Sequence, residues 1–115
     1  MIAFLTAKQI KPKVLILCSL SPYFKDDLKD LKPAWVKWWR NNFIDSDYSF
    51  TKIAPEINSK TYIVVWDKES KNCLNRARDA KKKLKNAKLI IIKGAEHNIT
   101  QKKYLVVVKK LISNL

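Results

Sequence analysis

Glycine and histidine are nearly absent from this chain of 115 residues, which contains one of each, Gly94 and His97. A single glycine excludes every motif that needs two, including the strained G-x-S-x-G turn that presents a serine above a parallel sheet. Long apolar runs are missing too, since none approaches the roughly 18 residues of a membrane span. The first residues, MIAFLTA, lack the basic start and cleavage site of a secretory signal. We therefore expect a cytoplasmic protein without membrane contact.

Cysteine is scarce and is not arranged for metal or redox chemistry. Cys18 lies in the apolar run VLILCSL and Cys73 in a polar segment, with no CxxC spacing and no Cys/His cluster. This pattern predicts two free thiols and no metal or other cofactor. Within its apolar run, Cys18 is predicted to be a small buried hydrophobic residue.

Positive charge is abundant, and the formal net charge is +14. Such an excess ordinarily indicates nucleic acid or another polyanion as a partner. Nearly all of it is lysine, however, and the arginines, which recognise phosphates and bases best, are only Arg40, Arg76 and Arg78. The run KKKLKNAK also fits the solvated face of a helix. Nucleic-acid binding by a basic, non-catalytic module is therefore the less favoured alternative.

Hydrophobic patterns divide the chain into alternating helices and strands. Short apolar runs predict strands at residues 14–20, 61–66 and 87–93, and helical patterns predict helices at 1–9, 25–42, 70–84 and 100–114. The inner faces predicted for the last two helices comprise Leu74, Ala77, Ala80, Lys81 and Leu84, and then Tyr104, Val107, Val108 and Leu111. The order α-β-α-β-α-β-α predicts one α/β domain over residues 1–115, with three parallel strands and crossover helices.

Residues 22–60, between the first two strands, are predicted to form a cap-like insertion. Residues 25–42 within it are predicted to form an amphipathic helix, or a helix pair broken near Pro33, that places Trp35, Trp38 and Trp39 on one face. This face either packs against the body of the protein or covers a substrate pocket.

Polar side chains follow each predicted strand. They are Ser19 and Ser21 after the first strand, Asp67 and Glu69 after the second, and Glu96 and His97 after the third. The carboxyl ends of parallel strands share one edge of an open sheet, where binding and catalytic groups gather. An acid followed by a histidine on successive strand ends is the order found in α/β-hydrolases.

Two segments carry a resemblance to that family. TYIVVWDKE, residues 61–69, resembles the seventh strand and acid loop of an α/β-hydrolase, although Trp66 stands where the family often has glycine. NAKLIIIKGAEHNI resembles the eighth strand and its G-x-x-H loop, and RARDAKKKLKNAK resembles the helix between the two strands. Gly94 permits the positive φ that such a turn often requires.

The resemblance implies roles for three residues. His97 would be the general base and acid, and a carboxylate would hold its tautomer and stabilise the imidazolium. Position in the loop favours Glu69 for that acid, with Asp67 as the alternative. Glu96, beside His97, is expected to be solvated.

The nucleophile has no counterpart, because its elbow needs two glycines. MIAFLTAKQIKPKVLILCSLSPYF resembles the helix after the elbow, the next strand and the start of the cap, so the chain resembles the carboxy-terminal half of the fold. Ser19 and Ser21 are poor substitutes, since neither lies in an elbow and Ser21 precedes Pro22, which favours extended backbone.

The leading hypothesis is a fragment of a serine hydrolase that acts on small esters or amides once an amino-terminal half completes it, and that is inactive alone. The strand at residues 14–20 would then leave an apolar edge open, which predicts self-association. A third hypothesis is a structural remnant that persists by pairing with another chain.

Overall fold

The computed structural model describes residues 2–20, 33–34, 50–95, 98 and 100–114. In chain order its elements are α1 (Ile2–Ile10), β1 (Val14–Cys18), α2 (Phe50–Ile53), a 3-10 turn (Ala54–Glu56), β2 (Lys60–Trp66), α3 (Lys71–Lys83), β3 (Ala87–Ile92) and α4 (Lys102–Ser113). The predicted helix over 25–42 lies outside the described residues apart from 33–34. None of the described helices is both long and apolar enough to cross a membrane.

The three strands form one parallel sheet in the order β1-β2-β3. Leu15 lies opposite Thr61, and Ile63 lies opposite Leu89. The central strand is buried on both faces, since Val64 and its neighbour Ile63 are both 0% exposed. A continuous apolar run is typical of such a strand, because helices cover both faces of a parallel sheet. The predicted α/β class, with three parallel strands and helices, is confirmed.

The helices lie on both faces of this sheet. On one face, residues of α1 and α3 share a core with Leu17, Ile63 and neighbouring side chains of β1 and β2. Phe4 of α1 stacks on Phe50 of α2 there, with ring centroids 4.3 Å apart. On the other face, α4 packs Tyr104 against Trp66. The sheet is therefore the middle layer of three.

The inner faces of α3 and α4 largely agree with the predicted ones. In α3, Ala77, Ala80 and the following Leu84 are buried, whereas Lys81 is exposed, so its predicted inward position was wrong. Its place is taken by Cys73, one turn before Ala77 on the same helical face. In α4, Tyr104 is buried, and Val107, Val108 and Leu111 pack partly buried around it, as predicted.

The predicted burial of Cys18 was wrong. Both cysteines are free thiols, but Cys18 is exposed and Cys73 is buried. Cys18 is the last residue of the edge strand β1, whereas Cys73 lies on the sheet-facing side of α3. The apolar run around Cys18 therefore gave a wrong prediction of its burial, and the polar segment around Cys73 gave no indication that Cys73 is buried.

Strand β1 forms hydrogen bonds to β2 through one side of its backbone. The Lys13 carbonyl accepts a hydrogen bond from the Lys60 N–H, and the Ser19 N–H donates to the Val64 carbonyl. Because backbone groups alternate in direction along a strand, those of residues 14, 16 and 18 face away from β2. No other strand of the described chain pairs with that side. This is the open edge.

We expect self-association through this edge, because unpaired strand backbones recruit other chains. Ile16→Pro removes an outward N–H without breaking a bond to β2, so it should shift the protein towards monomer. Ile16→Ala is the control, since it shortens the same side chain but keeps the N–H, and it should still associate. Sedimentation velocity over a concentration series measures the effect. A native protein that remains monomeric throughout would contradict the expectation.

Candidate active site

The loops that follow the three strands meet at the carboxyl edge of the sheet. The Ser19 hydroxyl, just after β1, donates to Glu69 Oε1, just after β2, at 2.9 Å. The Gly94 N–H, just after β3, donates to both carboxylate oxygens of Asp67, at 2.9 and 3.0 Å. The edge that the sequence singled out therefore holds two hydrogen-bonded pairs of polar groups, and polar groups are expected at this edge of an open parallel sheet.

Ser19 occupies an uncommon backbone conformation. Its φ is 45°, in the left-handed region of backbone conformations, which residues other than glycine, asparagine and aspartate seldom adopt. Its N–H still donates to the Val64 carbonyl at 3.0 Å, so the chain leaves the sheet abruptly after one last bond. The predicted strand to Leu20 was therefore too long, because it ends at Cys18. The sequence VLILCSL contains no glycine, asparagine or aspartate that would predict a left-handed turn at this point.

Helix α3 anchors the chain after this turn. The buried Leu20 accepts a hydrogen bond from Arg76 Nη1 at its carbonyl, at 3.1 Å, and Cys73 Sγ lies 3.9 Å from the same oxygen. Helix α3 is itself fixed at its start, where the Ser70 hydroxyl accepts from the Cys73 N–H at 3.2 Å, as an N-cap does. The turn is consequently held from both β2 and α3.

Glu69 is half-buried and lies beside the Cys73 thiol. Burial, and then the negative charge of Glu69, raise the pKa of Cys73 above its ordinary value, while Arg76 opposes them less strongly. Only a thiolate is a strong nucleophile. Cys73 is thus a protonated thiol at neutral pH and can donate, but it is not placed to attack a substrate.

The turn after β3 is tied at two points. Besides the Gly94 N–H bound by Asp67, the Gly94 carbonyl accepts a hydrogen bond from Lys103 Nζ at 3.3 Å. The φ of Gly94 is 65°, which confirms the positive value predicted, and a Cβ there would lie 3.1 Å from Lys103 Nζ. Glycine is required mainly by the backbone conformation, since the end of a lysine side chain can move.

The predicted site residues fall into two groups. Glu69 and Asp67 are described, and they have different partners, Ser19 and the Gly94 amide. His97, Glu96 and Ser21 lie outside the described residues, as do the cap tryptophans Trp35, Trp38 and Trp39. Gly94 stands three positions before His97 in the sequence.

Cys73 and Arg76 also lie at this edge, and neither was predicted from the sequence to do so. Ser70 is a recognisable N-cap, and in a helix that begins after it both residues face the sheet within the first two turns. This spacing could have predicted their position. Among the described residues, no group of three or more His, Cys, Asp and Glu side chains could hold a metal ion.

The fold and this edge define a class: a small α/β protein whose polar groups gather at the carboxyl end of an open parallel sheet. Compared with known proteins, the chain matches no family model, no curated protein and no solved structure. Function must therefore be argued from the site itself, since one fold can serve many functions.

Proposed function

We propose that this chain carries the acid and the histidine of a serine-hydrolase site for small esters or amides, in a cytoplasmic α/β-hydrolase. Glu69 is the acid, His97 is the general base, and the serine nucleophile comes from a separate polypeptide segment. The observation that supports this most directly is the bond from the Gly94 N–H to Asp67. It joins the acid loop to the turn that leads towards His97.

The contacts favour Glu69 over Asp67 as the acid. Asp67 is exposed, and both of its oxygens accept from one backbone amide, so its carboxylate holds the turn together. Glu69 is less exposed and projects among side chains rather than backbone. A less solvated carboxylate interacts more strongly with an imidazolium, because less water screens the two charges.

Each group has a defined part in the proposed chemistry. The imidazole of His97 takes the proton of the attacking serine hydroxyl and returns it to the leaving group. The carboxylate keeps the imidazole in the required tautomer and stabilises the imidazolium while the proton is held there. The oxyanion donors come from the residue after the nucleophile and from an earlier loop, so this chain does not supply them.

Polyanion binding gains no comparable support from the described contacts. Lys81 and Lys82, at the end of α3, are exposed, and Lys83 pairs with Asp79 at 2.8 Å. These are the features of a solvated helix surface. We therefore retain the proposal of a hydrolase site for which this chain supplies the acid and the histidine.

The single histidine allows a direct test in the isolated chain. Its imidazole gives one resolved set of NMR signals, and a carboxylate within about 4–6 Å stabilises the imidazolium and raises the pH at which the ring titrates. Glu69→Gln should therefore lower the midpoint of that titration by about 1 unit. Asp67→Asn should lower it less, because its carboxylate is directed at the Gly94 amide.

Glu56→Gln is the matched control. Its carboxylate pairs with Lys8 at 3.0 Å and precedes β2, near the amino ends of the strands. The Glu56→Gln substitution removes the same charge from the opposite end of the sheet, so the midpoint of the imidazole titration should stay close to that of the native chain. A Glu69→Gln midpoint equal to that of Glu56→Gln would overturn the proposed pair.

A further inference from the structure

Ser19 has a backbone that its side chain does not favour. With φ at 45°, glycine or asparagine would occupy the position at lower free-energy cost than serine. Strained residues of this kind persist where the surroundings hold them, and they cluster at functional sites. A role of its side chain would account for serine at this position.

That side chain crosses from β1 to a loop fifty residues later. The last ladder bond to Val64 and the Arg76 contact to the Leu20 carbonyl fix the backbone on both sides of the turn. With the turn held in this way, the hydroxyl reaches Glu69 Oε1 at 2.9 Å.

A buried thiol lies beside the same carboxylate. Cys73 is held protonated by its burial and by the charge of Glu69, so it does not repel Glu69 as a thiolate would, and it donates to the Leu20 carbonyl at 3.9 Å. Glutamate has three rotatable side-chain bonds, and a functional side chain needs neighbouring groups that fix its rotamer. Ser19 provides such a group, because its hydroxyl donates directly to Glu69 Oε1.

We propose that Ser19 is a positioning residue, which holds the Glu69 carboxylate in the orientation that serves the acid–histidine pair. This inference rests on the function proposed above. It assigns Ser19 no contact with substrate and no part as a nucleophile. Its effect is exerted wholly through Glu69.

The test uses the NMR titration of the single histidine in the isolated chain. Ser19→Gly accepts the left-handed backbone without strain and removes the hydroxyl together with the Cβ that carries it. We expect it to lower the imidazole midpoint by at least half of the decrease caused by Glu69→Gln, and to add nothing when combined with Glu69→Gln. Ser19→Asn also tolerates this backbone and has an amide that can donate, so it should restore most of the native midpoint.

Ser59→Ala is the matched structural control. The Ser59 hydroxyl is part-buried and donates to the Pro12 carbonyl, near the amino ends of the strands. Its loss should affect stability without moving the imidazole midpoint. Far-UV circular dichroism establishes that each variant is folded. Should Ser19→Gly unfold, Ser19→Cys replaces it, because a thiol of similar size donates only weakly and should also lower the midpoint.

The outcomes separate the two proposals. If Glu69→Gln leaves the native midpoint unchanged, the acid–histidine pair is wrong and the role of Ser19 falls with it. If Glu69→Gln lowers the midpoint and the Ser19 variant does not, only the role of Ser19 is overturned. The role of Ser19 is supported if Glu69→Gln and Ser19→Gly both lower the imidazole midpoint, Ser19→Asn restores most of it, and Ser59→Ala leaves it unchanged.

Discussion

Hydrolase activity should appear when this chain is combined with a polypeptide that ends in a strand and a G-x-S-x-G elbow, either co-expressed or fused ahead of Met1. Alone, the chain should neither turn over esters nor react with a fluorophosphonate probe, because it contains one glycine and so no elbow. The combined protein should show both activities. Probe labelling followed by mass spectrometry, together with a chromogenic ester assay, measures the difference.

Substitutions in the combined protein should rank the site residues. His97→Ala should lower kcat by about 10⁴- to 10⁶-fold, because a nucleophile without its base loses nearly all of its advantage. Glu69→Ala should cost about 10⁴-fold, and Asp67→Ala clearly less. Glu56→Ala, with its carboxylate paired to Lys8 away from the site, should leave kcat within about twofold of the native value.

Two results would contradict this prediction in different ways. Stoichiometric labelling of Ser19 in the isolated chain would show that the chain contains its own nucleophile. An active combined protein that His97→Ala leaves unaffected would show that the histidine has no catalytic role. Peptide mapping of the labelled isolated chain gives the first result, and the ester assay of the combined protein gives the second.

Trp66→Ala should produce the largest loss of stability. The indole is 1% exposed and meets the Tyr104 ring edge-to-face, with centroids 5.4 Å apart. Removing a buried aromatic side chain costs about 3–5 kcal/mol, through lost transfer free energy and the cavity that remains. Because Trp66 and Tyr104 join β2 to α4, the variant should also weaken the packing of that helix on the sheet.

Urea unfolding followed by far-UV circular dichroism gives the free energy of unfolding for each variant. Leu105→Ala is the control on α4, because Leu105 follows Tyr104 directly but is 44% exposed, and it should change the free energy by no more than about 0.5 kcal/mol. A loss below about 1.5 kcal/mol for Trp66→Ala would mean that α4 contributes little to the packed core.

Sequence periodicity predicted the elements of the described chain well, because it reflects local packing requirements. The run YIVVW is apolar without alternation, which is typical of a strand covered on both faces, and β2 is the central strand. Element ends were less accurate. Strand β1 ends two residues before its predicted end, because the left-handed turn at Ser19 has no local sequence signal. Residues 50–56, within the predicted cap-like insertion, form a short helix and a 3-10 turn, neither of which was predicted.

The candidate site was predictable only in its location. That Ser19, Asp67, Glu69 and Gly94 share an edge follows from the rule that parallel strands end together. Which of them touch does not follow, because the contacts join residues 50 and 27 positions apart, and their partners depend on turn geometry and side-chain rotamers. Likewise, only the tertiary structure shows that the two acids have different hydrogen-bond partners, since both follow β2 within three residues of its end.

By itself, the sequence determined the class of the fold, the three strands, the inward face of α4 and the need for glycine at position 94. These depend on hydrophobic periodicity and on backbone sterics, which act over a few residues. Only the tertiary structure decided that Cys73 is buried and Cys18 exposed, that the Ser19 hydroxyl donates to Glu69, and that Asp67 accepts from the Gly94 amide after β3. The physical reason is that burial and hydrogen-bond partnership at a sheet edge are set by segments far apart in the chain, which meet only when the sheet forms.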